Sequence, residues 1–354
     1  MRHGQSAGSH DGMGRRRLLA GAGGLLAAGG AAPALGLPRI LPDLPGQQGT
    51  AFPARSGLRG ITLVVPTARA GTTDFAARLL APLLARRLGQ PVAVENRAGA
   101  NGAAGTVSVA AAPPDGRTLL VQYSGYHVAI PAMLPGIGYD PLRDFVPVGL
   151  LLDSPQVLFA HPSVPVRDAA ELAEYARQHP GTLGFASSGP GSIQHLGMEL
   201  WKLRTGTDLR HVPYRGTGQA TQDLLNGKVA LFMTTPPPLM PYVADGALRA
   251  LAITSEERHP SLPTVPTLIE CGLPGFVLLA WFAIFAPAAT PPPILARLQA
   301  AVAEAVMEPE FHDRAESLGA MVRVLSPAAL TARVTRELAK WRAVVQAAGI
   351  RGGE

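Results

Sequence analysis

Ile61-Thr62-Leu63-Val64-Val65-Pro66-Thr67-Ala68-Arg69-Ala70-Gly71-Thr72-Thr73-Asp74 carries the signature that decides the fold. A short β-branched, apolar run closed by proline predicts a buried strand. The loop containing Gly71 follows, and apolar spacing from about Asp74 to Leu88 predicts a helix stopped by Gly89. Pro82 lies inside that helix and lacks an N–H, so a kink or local break is expected there. The unit recurs along the chain. Residues 92–95, 118–122, 157–160, 183–186, 229–233 and 248–253 read as strands, and 102–111, 168–178 and 192–205 as helices. In the last of these, Ile193, Leu196, Leu200 and Leu203 share a face. Near the C-terminus Ser326 and Pro327 read as cap and first residue of a helix with Leu330, Val334, Leu338, Trp341 and Val345 along its stripe. Strands alternating with helices imply an α/β chain with mostly parallel sheets covered on both faces. A length of 354 residues suits two such lobes better than one.

The N-terminus reads as an address. Arg15-Arg16-Arg17-Leu18-Leu19 opens an Ala/Gly-rich apolar run with a small-residue site at Ala32-Pro33-Ala34. The pair of arginines fits a twin-arginine export signal over residues 1–34, although Gly14 stands where Ser or Thr is usual. Residues 35–57 are rich in Pro, Gly and Gln and read as a flexible linker. Cleavage after Ala34 takes away four Arg and one Asp and lowers the formal charge from +6 to +3. So weak and dispersed an excess offers no nucleic acid footprint. Cys271 is the only cysteine, which rules out an intrachain disulfide and a thiolate metal cage, and no cofactor motif is present.

Ligands of open α/β sheets bind where strands end and helices begin. The loops to inspect are therefore 66–74, 123–127 and 187–192, all rich in glycine and small hydroxyl residues. A helix N-terminus presents unpaired N–H groups and about half a unit of positive charge, enough to hold a carboxylate without Lys or Arg. Thr72, Thr73 and Ser192 can each cap such a terminus, and capping alone is the competing explanation for them.

The same loops belong to a wider resemblance. Leu88-Gly89-Gln90-Pro91-Val92, Glu95-Asn96-Arg97, Pro114-Asp115-Gly116, Tyr139-Asp140-Pro141, His161-Pro162-Ser163-Val164-Pro165, Gly191-Ser192-Ile193-Gln194-His195-Leu196, His211-Val212-Pro213-Tyr214-Arg215-Gly216, Leu262-Pro263-Thr264-Val265-Pro266-Thr267 and Trp281-Phe282 follow one another across residues 61–350. In order and spacing they resemble the tripartite tricarboxylate transporter receptors, the Bug or TctC-like periplasmic binding proteins. The resemblance implies two Rossmann-like lobes joined by crossing strands, a type II periplasmic binding fold with the ligand in the cleft. It also implies a monomeric receptor in the periplasm that passes a small carboxylic acid to membrane permease subunits. Lobe 1 is expected over 58–157 and 254–354, and lobe 2 over 158–253. By position, the ligand residues implied are Ala70, Gly71, Thr72, Thr73, Asp74, Ser124 and Gly125 from one lobe. The other supplies Ser188, Gly191, Ser192, His195, Tyr214 and Thr234. For His195 a structural role, donating to a backbone carbonyl near the loop, is the alternative.

The departures bear on the ligand. The family's first loop usually reads Pro-Phe and then Pro-Gly-Gly, whereas Thr67, Arg69 and Ala70 stand here. Arg69 either pairs a distal carboxylate or lies in solvent. Thr234 and Thr235 replace a usual Asp-Asn, which takes away an ammonium partner and points to a ligand without a free amine. An exported hydrolase is the rival class. Past the expected signal no G-x-S-x-G elbow occurs, and no H-E-x-x-H occurs anywhere, so catalysis is not expected. A sensor fed by the same kind of receptor is a further alternative that sequence does not separate from transport.

Overall fold

A computed structural model describes residues 60–350, apart from 70, 135, 215, 237, 238 and 318. The expected signal at 1–34, the linker at 35–57 and Ala70 lie outside the described residues. The strands are β1 (Ile61–Val65), β2 (Val92–Asn96), β3 (Thr118–Tyr123), β4 (Phe145–Pro155), β5 (Val157–Ala160), β6 (Gly184–Ser187), β7 (Arg210–Pro213), β8 (Leu231–Thr234), β9 (Arg249–Ile253) and β10 (Leu279–Pro287). They form two sheets of five, ordered β2-β1-β3-β10-β4 and β7-β6-β8-β5-β9.

Both sheets follow one plan. In the first, β1 pairs in parallel with β2 and β3, and β10 runs antiparallel between β3 and β4. In the second, β6 pairs in parallel with β7 and β8, and β5 runs antiparallel between β8 and β9. Each reversed strand is the one that enters or leaves through the other sheet. Only Gln156 separates β4 from β5. The outward and return crossings are stitched together by Gln156 N–H donating to Thr254 Oγ1 at 2.8 Å and Thr254 N–H donating to Gln156 O at 2.9 Å. Leu278 N–H donates to Thr254 O at 2.9 Å, so the lead-in to β10 joins the same seam.

The helix Thr72–Leu88 ends on Gly89 at φ 65°, where a left-handed residue closes the turn. It continues through Pro82 without the break that was one of the two expectations there, and buries Ala76, Ala77, Leu80, Leu83 and Leu84. These meet Leu63 and Val65 of β1 and Leu298 and Val302 of the helix Pro292–Val306 in one cluster. A second cluster runs continuously from Leu120 and Leu150 in the first sheet to Leu158, Phe185 and Leu231 in the other. It includes the last helix, Pro327–Ala347, whose buried stripe is Leu330, Val334, Leu338, Trp341 and Val344. Ser326 Oγ caps it, accepting from Ala329 N–H at 3.2 Å. Leu203 was expected on the buried face of the helix Ile193–Thr205 but is 44% exposed; Trp201 fills the core there instead. No helix among the described residues is long and apolar enough to cross a membrane.

Candidate ligand-binding cleft

Every described residue implied by the resemblance sits at or just beyond the carboxyl end of a strand. Gly71 to Asp74 follow β1, and Ser124 and Gly125 follow β3. Ser188 to His195 follow β6, Tyr214 follows β7, and Thr234 ends β8. A cavity of about 370 Å³ opens between the β3 and β6 ends, lined by Asn101, Tyr123, Tyr126, Ile130, Met133, Leu134 and Ser188, Gly189, Pro190, Ser192. Of the implied residues, only Ser188 and Ser192 line it.

The loop after β6 is fixed before any ligand arrives. Ser192 Oγ donates to Gly189 O at 2.7 Å and accepts from His195 N–H at 3.3 Å, capping the helix Ile193–Thr205. Ser188 Oγ donates to Gln194 Oε1 at 2.9 Å. Gly191 takes φ 75°, and its N–H donates to His195 Nδ1 at 3.1 Å. His195 is therefore an acceptor at Nδ1 and carries its proton on Nε2, the reverse of the donor role considered for it. Its ring stacks on His211 at 3.9 Å with 8° between the planes, and Ser187 Oγ lies 2.7 Å from His211 Nε2. Burial, then the His211 ring and the Lys202 ammonium, lower His195 to about 3; burial and Lys202 lower His211 to about 4. Two facing imidazoles so held are neutral at ordinary pH. Glu199, 3.9 Å from His195 Nε2, forms its ion pair with Lys202 at 2.9 Å.

The opposite wall comes from the first sheet. Ser124 Oγ accepts from Trp281 N–H at 3.3 Å, which ties the end of β3 to β10. The chain then makes a π turn over Gly125–Ala129, a widened turn often found where a site is built. Gly125 is required there, because a Cβ would stand 1.9 Å from the Tyr123 hydroxyl. Asn101, which the sequence reading did not single out, enters the lining from a pair of left-handed non-glycine residues, Ala100 at φ 47° and Asn101 at φ 53°. Backbone of this kind costs about 1–3 kcal/mol per residue and concentrates at functional sites.

The loop after β1 differs from its expected form. Gly71 takes the N-cap position of the helix Thr72–Leu88 and supplies no side-chain cap, so Thr72 and Thr73 are not capping residues. Asp74 is buried, and its carboxylate accepts from Asn96 Nδ2 at 2.9 Å and Arg78 Nε at 3.0 Å. Asn96 Nδ2 also donates to Thr67 O at 3.1 Å, so this network pins the loop to the end of β2. Arg69 is exposed. On the second lobe Tyr214 donates its hydroxyl to Asp223 at 3.1 Å, and Thr234 is 2% exposed.

The lobes touch at Gly191, where an added Cβ would lie 2.5 Å from Met133 Cε and 2.8 Å from Ile130 Cδ1. Gly191→Ala is expected to strain the left-handed backbone by about 1–2 kcal/mol and to wedge this contact open. Calorimetric titration should show ligand affinity reduced at least tenfold; unchanged affinity would remove Gly191 from the closure contact.

Comparison with known proteins agrees with this geometry. The sequence model of the tripartite tricarboxylate transporter family receptor matches residues 76–350. Protein BugT of Bordetella pertussis is 38% identical over 299 residues, covering 84% of this chain and 90% of that protein. Rpa4515 of R. palustris, solved with adipate, is 36% identical with a TM-score of 0.73, covering 83% of this chain and 98% of that one. MatC of Rhodopseudomonas palustris, solved with malate, is 39% identical with a TM-score of 0.71, covering 82% and 100%. Two sheets of matching plan, a cleft at their strand ends and these extended similarities lead to one conclusion: the chain belongs to the tripartite tricarboxylate transporter receptor family.

Proposed function

We propose that the protein is a periplasmic solute receptor that closes its two lobes on a small carboxylated molecule and delivers it to tripartite tricarboxylate-type permease subunits. The observation that carries this reading is the cavity between the β3 and β6 ends, bounded by both lobes and opening beside the capped start of the helix Ile193–Thr205. Backbone N–H groups and the half-charge at that helix start favour a carboxylate. The adipate and malate held by the Rhodopseudomonas proteins support the ligand class. In this reading lobe 1 spans 58–157 with 254–354 and lobe 2 spans 158–253, limits that the seam at Gln156 and Thr254 supports. Export by a cleavable twin-arginine signal at 1–34 and a monomeric state complete the reading. Thr234, standing where an acidic residue is usual, favours a ligand without an amine.

Binding rather than catalysis fits the side chains. Ser187 and His211 stand at nucleophile-to-base distance, but Ser187 is 0% exposed and its Oγ accepts from Gly189 N–H at 3.1 Å. His211, lowered to about 4, is a weak base. The pair fastens the loop.

Protein purified without refolding should release a carboxylic acid detectable by mass spectrometry. Adding that acid at about 100 times its Kd should stabilise the fold by about 2.7 kcal/mol, seen as a rise in Tm of several degrees. A shift with sugars or metal ions, and none with any carboxylate, would refute the reading.

A further inference from the structure

We infer that the solute is a monocarboxylate with an apolar, ring-sized body, a narrowing that rests on the receptor reading above. The cavity is chemically two-sided. Its polar side chains are Ser188 and Ser192 on the β6 side, Asn101, and the hydroxyl-bearing Tyr123 and Tyr126. The remaining side chains are Ile130, Met133, Leu134 and Pro190. Among the described residues that line it, none carries a charged side chain, and Arg69 is not one of them. Burial raises both tyrosine hydroxyls above their ordinary pKa, so these walls are neutral at any physiological pH.

The aromatic wall is preformed. Tyr123 and Tyr126 meet edge to face with centroids 5.2 Å apart, and Tyr123 is backed by the Phe282 ring at 6.0 Å. Each ring occupies a seat left by a glycine. A Cβ on Gly102 would fall 2.2 Å from Tyr126 Cδ2, and one on Gly125 would fall against the Tyr123 ring. Rings held this way present a fixed apolar surface at little ordering cost. A carboxylate at the Ser188–Ser192 end meets the positive start of the helix Ile193–Thr205 and takes a hydroxyl proton when Ser188 or Ser192 turns from Gln194 Oε1 or Gly189 O to the ligand, whereas a second carboxylate extended toward Ile130 and Leu134 would be desolvated without a cation. A volume near 370 Å³ lies at the small end of ligand pockets, about 300–1,000 Å³, and suits one ring rather than an extended polar chain.

The test is calorimetric titration of the full chain, stripped of retained ligand, with phenylacetate, succinate, adipate and 2-phenylethanol. Phenylacetate is expected to bind at least tenfold tighter than either dicarboxylate, and 2-phenylethanol, which lacks the carboxylate, not to bind measurably. Tyr126→Ala should weaken phenylacetate at least tenfold. Should circular dichroism show that variant unfolded, Leu134→Asn, which makes the apolar floor polar, should weaken it in the same direction. Tighter binding of succinate or adipate would overturn the proposal and leave the receptor reading intact. Equal affinity for phenylacetate in wild type and in the folded variants would overturn it too. Failure of all three acids to bind would overturn the proposal too, and the wider carboxylate screen described above would then decide the receptor reading.

Discussion

His127→Phe is expected to raise the melting temperature, and to raise it more near pH 5 than near pH 8. His127 is 0% exposed on the π turn after β3, its ring stacked on Phe285 at 4.0 Å and flanked edge-on by Phe145 and Trp281. Among the described residues neither ring nitrogen has a partner in good hydrogen-bond geometry. A buried polar group left unpaired costs about 1–3 kcal/mol, a cost that phenylalanine removes while keeping the ring. Burial also lowers the imidazole pKa to about 3, against the weaker pull of the Pro141 carbonyl and the Asp140 carboxylate. With 6.5 in the unfolded chain and about 3 in the fold, the unfolded state binds the extra proton throughout that interval. Stability is then complete above the unfolded value and falls as pH drops, by up to about 1.4 kcal/mol per pH unit. Near pH 5 this amounts to roughly 2 kcal/mol of loss that the variant escapes. His195 and His211 titrate in the same sense and keep the variant acid-sensitive. Thermal melts across this range decide the matter: an equal Tm difference at both ends would show that His127 does not titrate on unfolding.

How much of this was legible beforehand depends on where each residue finds its partner. Strands β1, β2, β3 and β5 announce themselves as short apolar runs, and Gly89, Ser192 and Ser326 mark helix ends within a turn of their own position. The strands missing from the sequence reading are β4, β7 and β10. In β4, Pro147, Gly149 and Asp153 interrupt the apolar run and imitate a loop; pairing with β10, more than a hundred residues later, makes it a strand. β7 is only Arg210–Pro213, half polar, and exists as an edge on β6. The cleft was found by rule, since its loops lie at strand ends, and Ser188 and Ser192 were identified within it. Tyr126, Ile130, Met133 and Leu134 were not, because their exposure to the cavity follows from the π turn and from the seat at Gly102. The one available signal was an aromatic residue inside the Gly-containing loop 123–127. Asp74 illustrates what spacing leaves out, a polar residue in the right loop whose bonds to Asn96 and Arg78 depend on how the loop folds against the end of β2.

Arg333→Met should cost about 3–5 kcal/mol, and Asp153→Leu combined with Arg333→Met far less. Asp153 lies in β4 with its side chain 2% exposed, and Arg333 Nη1 reaches it from the last helix at 2.8 Å and 3.1 Å to the two oxygens. The guanidinium also holds Glu337 at 3.0 Å and lies over the Trp281 ring, while Trp281 Nε1 donates to Glu337 at 2.9 Å. Removing Arg333 alone strands a carboxylate in the core, whereas removing both charges leaves apolar volume in their place. Burial already raises the Asp153 pKa, with Arg333 as the main opposing influence. A carboxyl raised in the fold binds its proton more readily there than in the unfolded chain, so its contribution to stability declines as pH rises through that interval. Without Arg333 the interval extends upward, and the deficit of the single variant should be smaller near pH 5 than near pH 8. Each kcal/mol appears as about 2–4 °C in Tm for chains approaching this size. A single variant within about 1 kcal/mol of wild type, or a double variant as unstable as the single, would contradict the assignment. The network joins the last helix to β4 and β10, the two strands that lead into the seam at Gln156 and Thr254. Its loss should therefore weaken the fold where the lobes are joined, with the cavity-lining residues themselves unchanged.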